Sequence, residues 1–95
     1  MGIEEIINKV TERAGVSLSD TFAKTKDREI VNVRQMICVI AYKYGHNMPK
    51  IARAFSSHGY KCIHTGISYA VKMGKVKYQT VPYFKSIVNG IYNED

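Results

Sequence analysis

The chain has no tryptophan, and only two prolines and two cysteines among its 95 residues. Cys38 and Cys62 are too few for the disulfide framework of a small secreted domain. Each falls inside an apolar stretch, so buried free thiols in a reducing compartment are expected. A long hydrophobic run is missing too. Met36 to Tyr42, the most apolar segment, is far short of the roughly 20 residues that cross a bilayer. Met1 to Val10 carries Glu4, Glu5 and Lys9 where a signal peptide would be apolar. The expectation is a cytoplasmic protein with no membrane partner.

The most telling absence is of one sign of charge. From Ile30 to Asn93 there is no Asp or Glu, while the same stretch holds Arg34, Lys43, Lys50, Arg53, Lys61, Lys72, Lys75, Lys77 and Lys85. Glu4, Glu5, Glu12, Asp20, Asp27 and Glu29 precede it, and Glu94 and Asp95 end the chain. The formal net charge is +6. Such a stretch draws in a polyanion and binds it by counterion release, although a basic surface kept for solubility has the same composition. Paired-carboxylate catalysis has little to work with, and no acid stands near Cys62 to orient a base beside it. Neither an enzyme nor a small-molecule substrate is expected. His58, Cys62 and His64 form a His-x3-Cys-x-His pattern, but Cys62 and His64 point in different directions on a helix and no fourth ligand is evident. No metal and no other cofactor is expected.

Ninety-five residues make one domain, 1–95, and with 45% of them hydrophobic a core is within reach without disulfides or metal. Ile3, Ile6, Ile7 and Val10 recur at helical spacing, closed by Gly15. Ser17-Leu-Ser-Asp20 offers caps for a short second helix that turns Leu18 and Phe22 inward. Ala23 to Glu29 reads as a loop, and Val31 to Gly45 as a central buried helix, apolar almost all round. Asn47 caps and Pro49 opens a helix whose apolar face is Ile51, Ala54 and Phe55. Ser56-Ser-His-Gly59 breaks that pattern and Tyr60 to Met73 resumes it. Two short helices around a polar turn containing Gly form the helix-turn-helix pattern, here 48–55 followed by 60–73. Gly74 closes the second helix, Lys75 to Thr80 alternates like an extended segment, and Pro82 opens a last helix striped by Phe84, Ile87, Val88 and Ile91.

On a helical wheel Ile63, Gly66, Ile67 and Ala70 face inward, and Gly66 gives room for close packing. Lys61, Thr65, Ser68 and Lys72 face outward, with His58 and Tyr69 at the margins. Short or cationic side chains with hydrogen-bond donors and no acid suit a helix lying in a major groove. An ordinary amphipathic surface helix has the same face. Lys50, Arg53 and Lys72 are candidates for backbone phosphate, Lys61, Thr65, Ser68 and Tyr60 for base edges, and His58 for a further contact with the DNA.

Met48-Pro-Lys-Ile-Ala-Arg-Ala-Phe55 resembles the Leu-Pro-Glu-Ile-Gly-Arg-Leu-Phe stretch of the C-terminal DNA-binding domain (domain IV) of the bacterial replication initiator DnaA. Val33-Arg34-Gln35-Met36 resembles that family's Pro-Arg-Gln-Val at the start of its central helix, and Ile6 to Lys24 its first two helices. The likeness covers about residues 3–73, leaving 74–95 as an extension. It implies an all-α, Trp-repressor-like helix-turn-helix bundle of about six helices with an extra C-terminal helix. It also implies that double-stranded DNA is the partner and that Arg34 reaches into the minor groove. The family's Asp-His-Thr-Thr opening of the recognition helix is placed on Gly59-Tyr60-Lys61-Cys62, none of which matches, so a different target site is expected. No Walker-type phosphate loop occurs, and a free-standing reader in replication or transcription control is expected.

Two further readings stay open. Loss of the base-reading tetrad is what an adaptor that kept the fold and lost specific readout would show. The Tyr83–Tyr92 stripe either packs on the domain or forms a surface for a second copy or a protein partner. The tyrosines could stack on single-stranded bases, although semi-buried packing fits them better.

Overall fold

A computed structural model describes residues 1–93, so Glu94 and Asp95 lie outside the described residues. It is all-helical: α1 (Ile3–Ala14), α2 (Leu18–Thr21), α3 (Arg28–Lys43), α4 (Met48–Ser57), α5 (His64–Thr80) and α6 (Pro82–Tyr92). Local chemistry sets the starts. Ser17 Oγ accepts from the Asp20 N–H at 3.0 Å, Asp27 Oδ1 from Glu29 at 2.9 Å, and Asn47 Oδ1 from Lys50 at 2.9 Å. Each cap satisfies one of the N–H groups that a helix leaves unpaired at its start. The Asp27 cap begins the central helix at Arg28, three residues before the position that apolar periodicity predicts.

α3 is the spine. Val33 and Met36 to Ala41 are buried without interruption, and every other helix packs against it. Phe22 is buried as expected, but Leu18 is 41% exposed and does not turn inward. Phe84, Ile87, Val88 and Ile91 of α6 pack against α1, α3 and α5. The stripe considered as a partner surface is therefore core, and only Tyr83 and Tyr92 remain outside. Burying such side chains contributes roughly 1.5–3 kcal/mol each. The extension is thus an integral wall of the fold.

The largest departure from the sequence reading is α5. Gly74 does not end it, and the segment from Lys75 to Thr80 is helical rather than extended. Gly74 is buried, and a Cβ built on it would overlap Val39 Cγ2 and stand 3.2 Å from the Gln35 carbonyl oxygen. A glycine within a helix costs stability, and here it lets α5 cross α3 backbone to side chain. The inward face of α5 is accordingly Ile67, Val71 and Gly74, with Ala70 half-buried. Ile63 is 70% exposed and Gly66 is exposed, so neither belongs to the inward face assigned to them.

Candidate nucleic-acid interface

α4, the segment that follows it and α5 form the helix-turn-helix, with boundaries shifted from those the sequence predicts. α4 runs to Ser57, the connection spans residues 58–63, and α5 starts at His64 rather than Tyr60. Gly59, at φ 89°, ends α4, while the Tyr60 N–H donates to the Phe55 carbonyl at 3.0 Å. Only glycine adopts that backbone readily, and the pair of bonds around it closes the helix. Tyr60 cannot resume the helix because its ring is already engaged. It packs edge-on to Phe55 at 5.9 Å, and the Arg34 guanidinium lies 4.6 Å from its centre. Ile63 is the N-cap, in extended conformation and without a side-chain cap hydrogen bond.

The outer surface of α5 carries His64, Thr65, Ser68, Tyr69 and Lys72, all exposed, with Tyr69 62% exposed. Lys50 and Arg53 on α4 and Lys61 in the turn are exposed as well. Lys24 and Lys26, from the loop before α3, join Tyr60 and Lys61 around one hollow of about 370 Å³. Neither lysine is among the sequence candidates, although their i, i+2 spacing beside Thr25 and Asp27 in a polar loop is a usable signal. The resulting surface is small, polar and cationic along α5, with basic residues at both flanks.

Three candidates do not take the roles expected of them. Arg34, expected in the minor groove, is only 7% exposed. Its Nη1 donates to the carbonyls of Thr21 (2.9 Å) and Ala23 (3.2 Å), and its Nη2 to that of Thr25 (2.9 Å). With both terminal nitrogens committed, it acts as a clamp on the 22–27 loop. His58 is half-buried, stacked on Phe22 at 4.6 Å, and its Nε2 is 2.7 Å from Glu4 Oε1. It ties the end of α4 to α1. Tyr60 is the third, held under Arg34 instead of facing outward. Cys38 is fully buried and Cys62 half-buried, both free, and burial raises each thiol above its ordinary pKa. Among the described residues no three His, Cys, Asp or Glu side chains stand close enough to hold a metal ion, and no helix is long and apolar enough to cross a membrane.

The observed start of α5 lies four residues beyond Tyr60, where the sequence reading opens the recognition helix. If Asp-His-Thr-Thr opens the recognition helix, it falls on Ile63-His64-Thr65-Gly66, and the central His and Thr are retained. The earlier placement, four residues upstream, falls on the turn. Ile63, the N-cap, has an apolar side chain and so no acceptor with which to cap the helix.

Comparison with known proteins gives a consistent result. A family described as the bacterial dnaA protein helix-turn-helix matches residues 3–73. No curated protein matches the chain. The matched span contains the whole of α1 to α4 and the first ten residues of α5.

Proposed function

From the chain's membership of the bacterial DnaA helix-turn-helix family, a DNA-binding domain, we propose that it is a sequence-preferring reader of double-stranded DNA in replication or transcription control. It binds and does not catalyse, and it works in the cytoplasm. The N-terminal half of α5 enters the major groove, with His64, Thr65 and Ser68 towards base edges. Lys50, Arg53, Lys61 and Lys72 meet phosphates on either side, and Lys24 and Lys26 extend the contact along the backbone. The observation that carries this reading is the exposed face of His64, Thr65, Ser68 and Lys72 on a helix with no acidic side chain in its length.

The adaptor reading drew on loss of the base-reading tetrad. A tetrad opening α5 at Ile63 would keep its central His64 and Thr65, which favours DNA readout over the adaptor. Selecting bound duplexes from a random pool, followed by fluorescence anisotropy on the enriched site, tests the proposal. An enriched motif whose binding falls about tenfold or more with Thr65→Ala or His64→Ala supports it, since a good base contact is worth about 1–3 kcal/mol. No duplex binding even at low salt would overturn it.

A further inference from the structure

A second basic cluster lies away from the opening of α5, where the end of α3, the C-terminal half of α5 and α6 come together. Lys75 Nζ stands 4.6 Å from the centre of the Tyr42 ring. Lys43 Nζ lies 5.6 Å from that of Tyr78 and 5.3 Å from that of Tyr92, and Lys85 Nζ is 5.6 Å from that of Tyr78. All three lysines are exposed, and Tyr42 and Tyr92 are 43% and 37% exposed. Among the described residues no acid lies on α5 or α6, and Glu29, the one acid of α3, sits at the end opposite Lys43. Lys43, Lys75, Tyr78 and Gln79 line a hollow of about 310 Å³.

The rings are held in place. Tyr78 Oη donates to Asn89 Oδ1 at 2.5 Å. Tyr92 packs edge-on to Tyr44 at 5.1 Å, and the Tyr44 hydroxyl donates to the Tyr92 carbonyl at 3.3 Å. The ammonium groups are held more loosely, since the attraction of a cation to a ring is weak at an exposed site. A phosphate can therefore draw them off and leave a ring face open. The cluster is also clear of a groove read by the other end of the helix. Tyr78 stands about 20 Å along the α5 axis from Thr65, at about 1.5 Å per residue, whereas a major groove is about 12 Å wide. Lys75, Tyr78, Lys85 and Tyr92 lie beyond residues 3–73, which the DNA-binding family covers.

We propose that this cluster binds single-stranded DNA. Phosphates take Lys43, Lys75 and Lys85 off the rings, and unpaired bases stack on Tyr42 and Tyr92 in their place. Lysines alone would suit any polyanion. Fixed rings among them favour one that also offers flat faces, as a single strand does and a duplex, whose bases already cover one another, does not. Binding tolerates any sequence, because every base has such a face. The strand is DNA rather than RNA because the opening of α5 reads duplex DNA, and that choice alone rests on the proposed function. A chain holding a duplex at one end of α5 thereby holds an unpaired strand at the other.

The probe is a labelled 12-mer of deoxyuridylate, titrated into the full chain without duplex and followed by fluorescence anisotropy. The chain has no tryptophan, so quenching of its tyrosine emission by the unlabelled strand reports the stacking. Tyr42→Leu should weaken binding about tenfold and reduce the quenching, since one base–ring stack is lost. Lys43→Gln/Lys75→Gln should lower the slope of log affinity against log salt by about 1.4, at about 0.7 per phosphate of a single strand. These three side chains are exposed, and circular dichroism confirms that the variants fold. Thr65→Ala, at the other end of α5, should leave single-strand affinity unchanged. No binding at low salt, undiminished binding by Tyr42→Leu, equally tight binding of inorganic polyphosphate, or an equal loss with Thr65→Ala would each overturn the proposal. Tighter binding of the uridylate 12-mer would overturn the choice of DNA. Because no duplex is present, failure here leaves the duplex-reading proposal intact.

Discussion

Two glycines of α5 give opposite expectations for the same substitution. Gly74 is buried where α5 crosses α3. A methyl group placed there overlaps Val39 Cγ2, meets the Gln35 carbonyl oxygen at 3.2 Å and touches Phe84 Cζ at 3.5 Å. The carbonyl is backbone in the middle of the most buried helix and cannot yield, and Val39 is itself packed on all sides. Helix propensity favours Ala over Gly by about 1 kcal/mol, whereas forcing an extra carbon into a packed crossing costs about 1–3 kcal/mol. Because the overlap with Val39 is severe and the carbonyl cannot yield, the upper end of that cost applies, and Gly74→Ala should destabilise the fold by about 2 kcal/mol net. At Gly66 the nearest atom to a new Cβ is Cys62 Cβ at 3.9 Å, an ordinary contact on an exposed turn of the same helix. Gly66→Ala should stabilise by about 0.5–1 kcal/mol, the propensity gain alone. Urea unfolding followed by circular dichroism measures both. A Gly74→Ala protein as stable as the parent would refute the close crossing, and with it the account of why α5 continues past that residue.

Three other expectations follow. Lys61→Ala and Lys72→Ala should each weaken duplex binding across all sequences and lower the slope of log affinity against log salt by about 1, which anisotropy at several salt concentrations reads directly. A chain ending at Met73, the end of the family-matched span, should lose cooperative unfolding and bind a hydrophobic dye, because it lacks the buried Phe84, Ile87, Val88 and Ile91. Their combined burial is comparable to the about 5–15 kcal/mol of net stability of a whole domain; a cooperative, native-like fragment would count against it. His58→Ala should lower stability by about 1 kcal/mol, through loss of the stacking on Phe22 and the contact with Glu4. If it instead left the melting temperature unchanged and reduced DNA affinity, His58 would belong to the interface.

The helices were legible because each carries its own evidence. α1, α3, α4 and α6 pair an apolar period with a cap, a C-terminal glycine or an initial proline, and those signals act within one turn of the chain. The errors came where one residue type serves two purposes. A glycine after a run of apolar periodicity reads as a terminator, and Gly59, at φ 89°, is one. Gly74 answers instead to Val39 and Gln35, residues that lie far away in sequence. Tyr60 continues the spacing of Ile63 and Ile67, which predicts a helix there, whereas its ring is held by Phe55 and Arg34. That one residue accounts for the four residues between the expected helix start at Tyr60 and the observed start at His64.

Arg34 shows the same conflict at the site itself, and it supplies the sharpest test of how the interface is built. Its charge counts towards the basic total, yet three backbone carbonyls and the Tyr60 ring surround it. Through the carbonyls it fixes the loop that carries Lys24 and Lys26; through Tyr60 it braces the turn that carries Lys61. Lysine at this position keeps the charge but cannot fork to three acceptors. Arg34→Lys should therefore cost on the order of 2–3 kcal/mol of stability, from the lost charge-assisted hydrogen bonds. Measured well below its melting temperature, the folded variant should also bind duplex more weakly, because the flanking lysines, still able to reach phosphate, must then be ordered on binding. The salt slope separates the two roles open to this arginine. If Arg34 acts only through the loop and turn, no phosphate contact disappears and the slope stays nearly unchanged as affinity falls. In Arg34→Ala, loss of a phosphate contact would instead lower the slope by about 1. That result would return the arginine to the DNA and contradict the clamp.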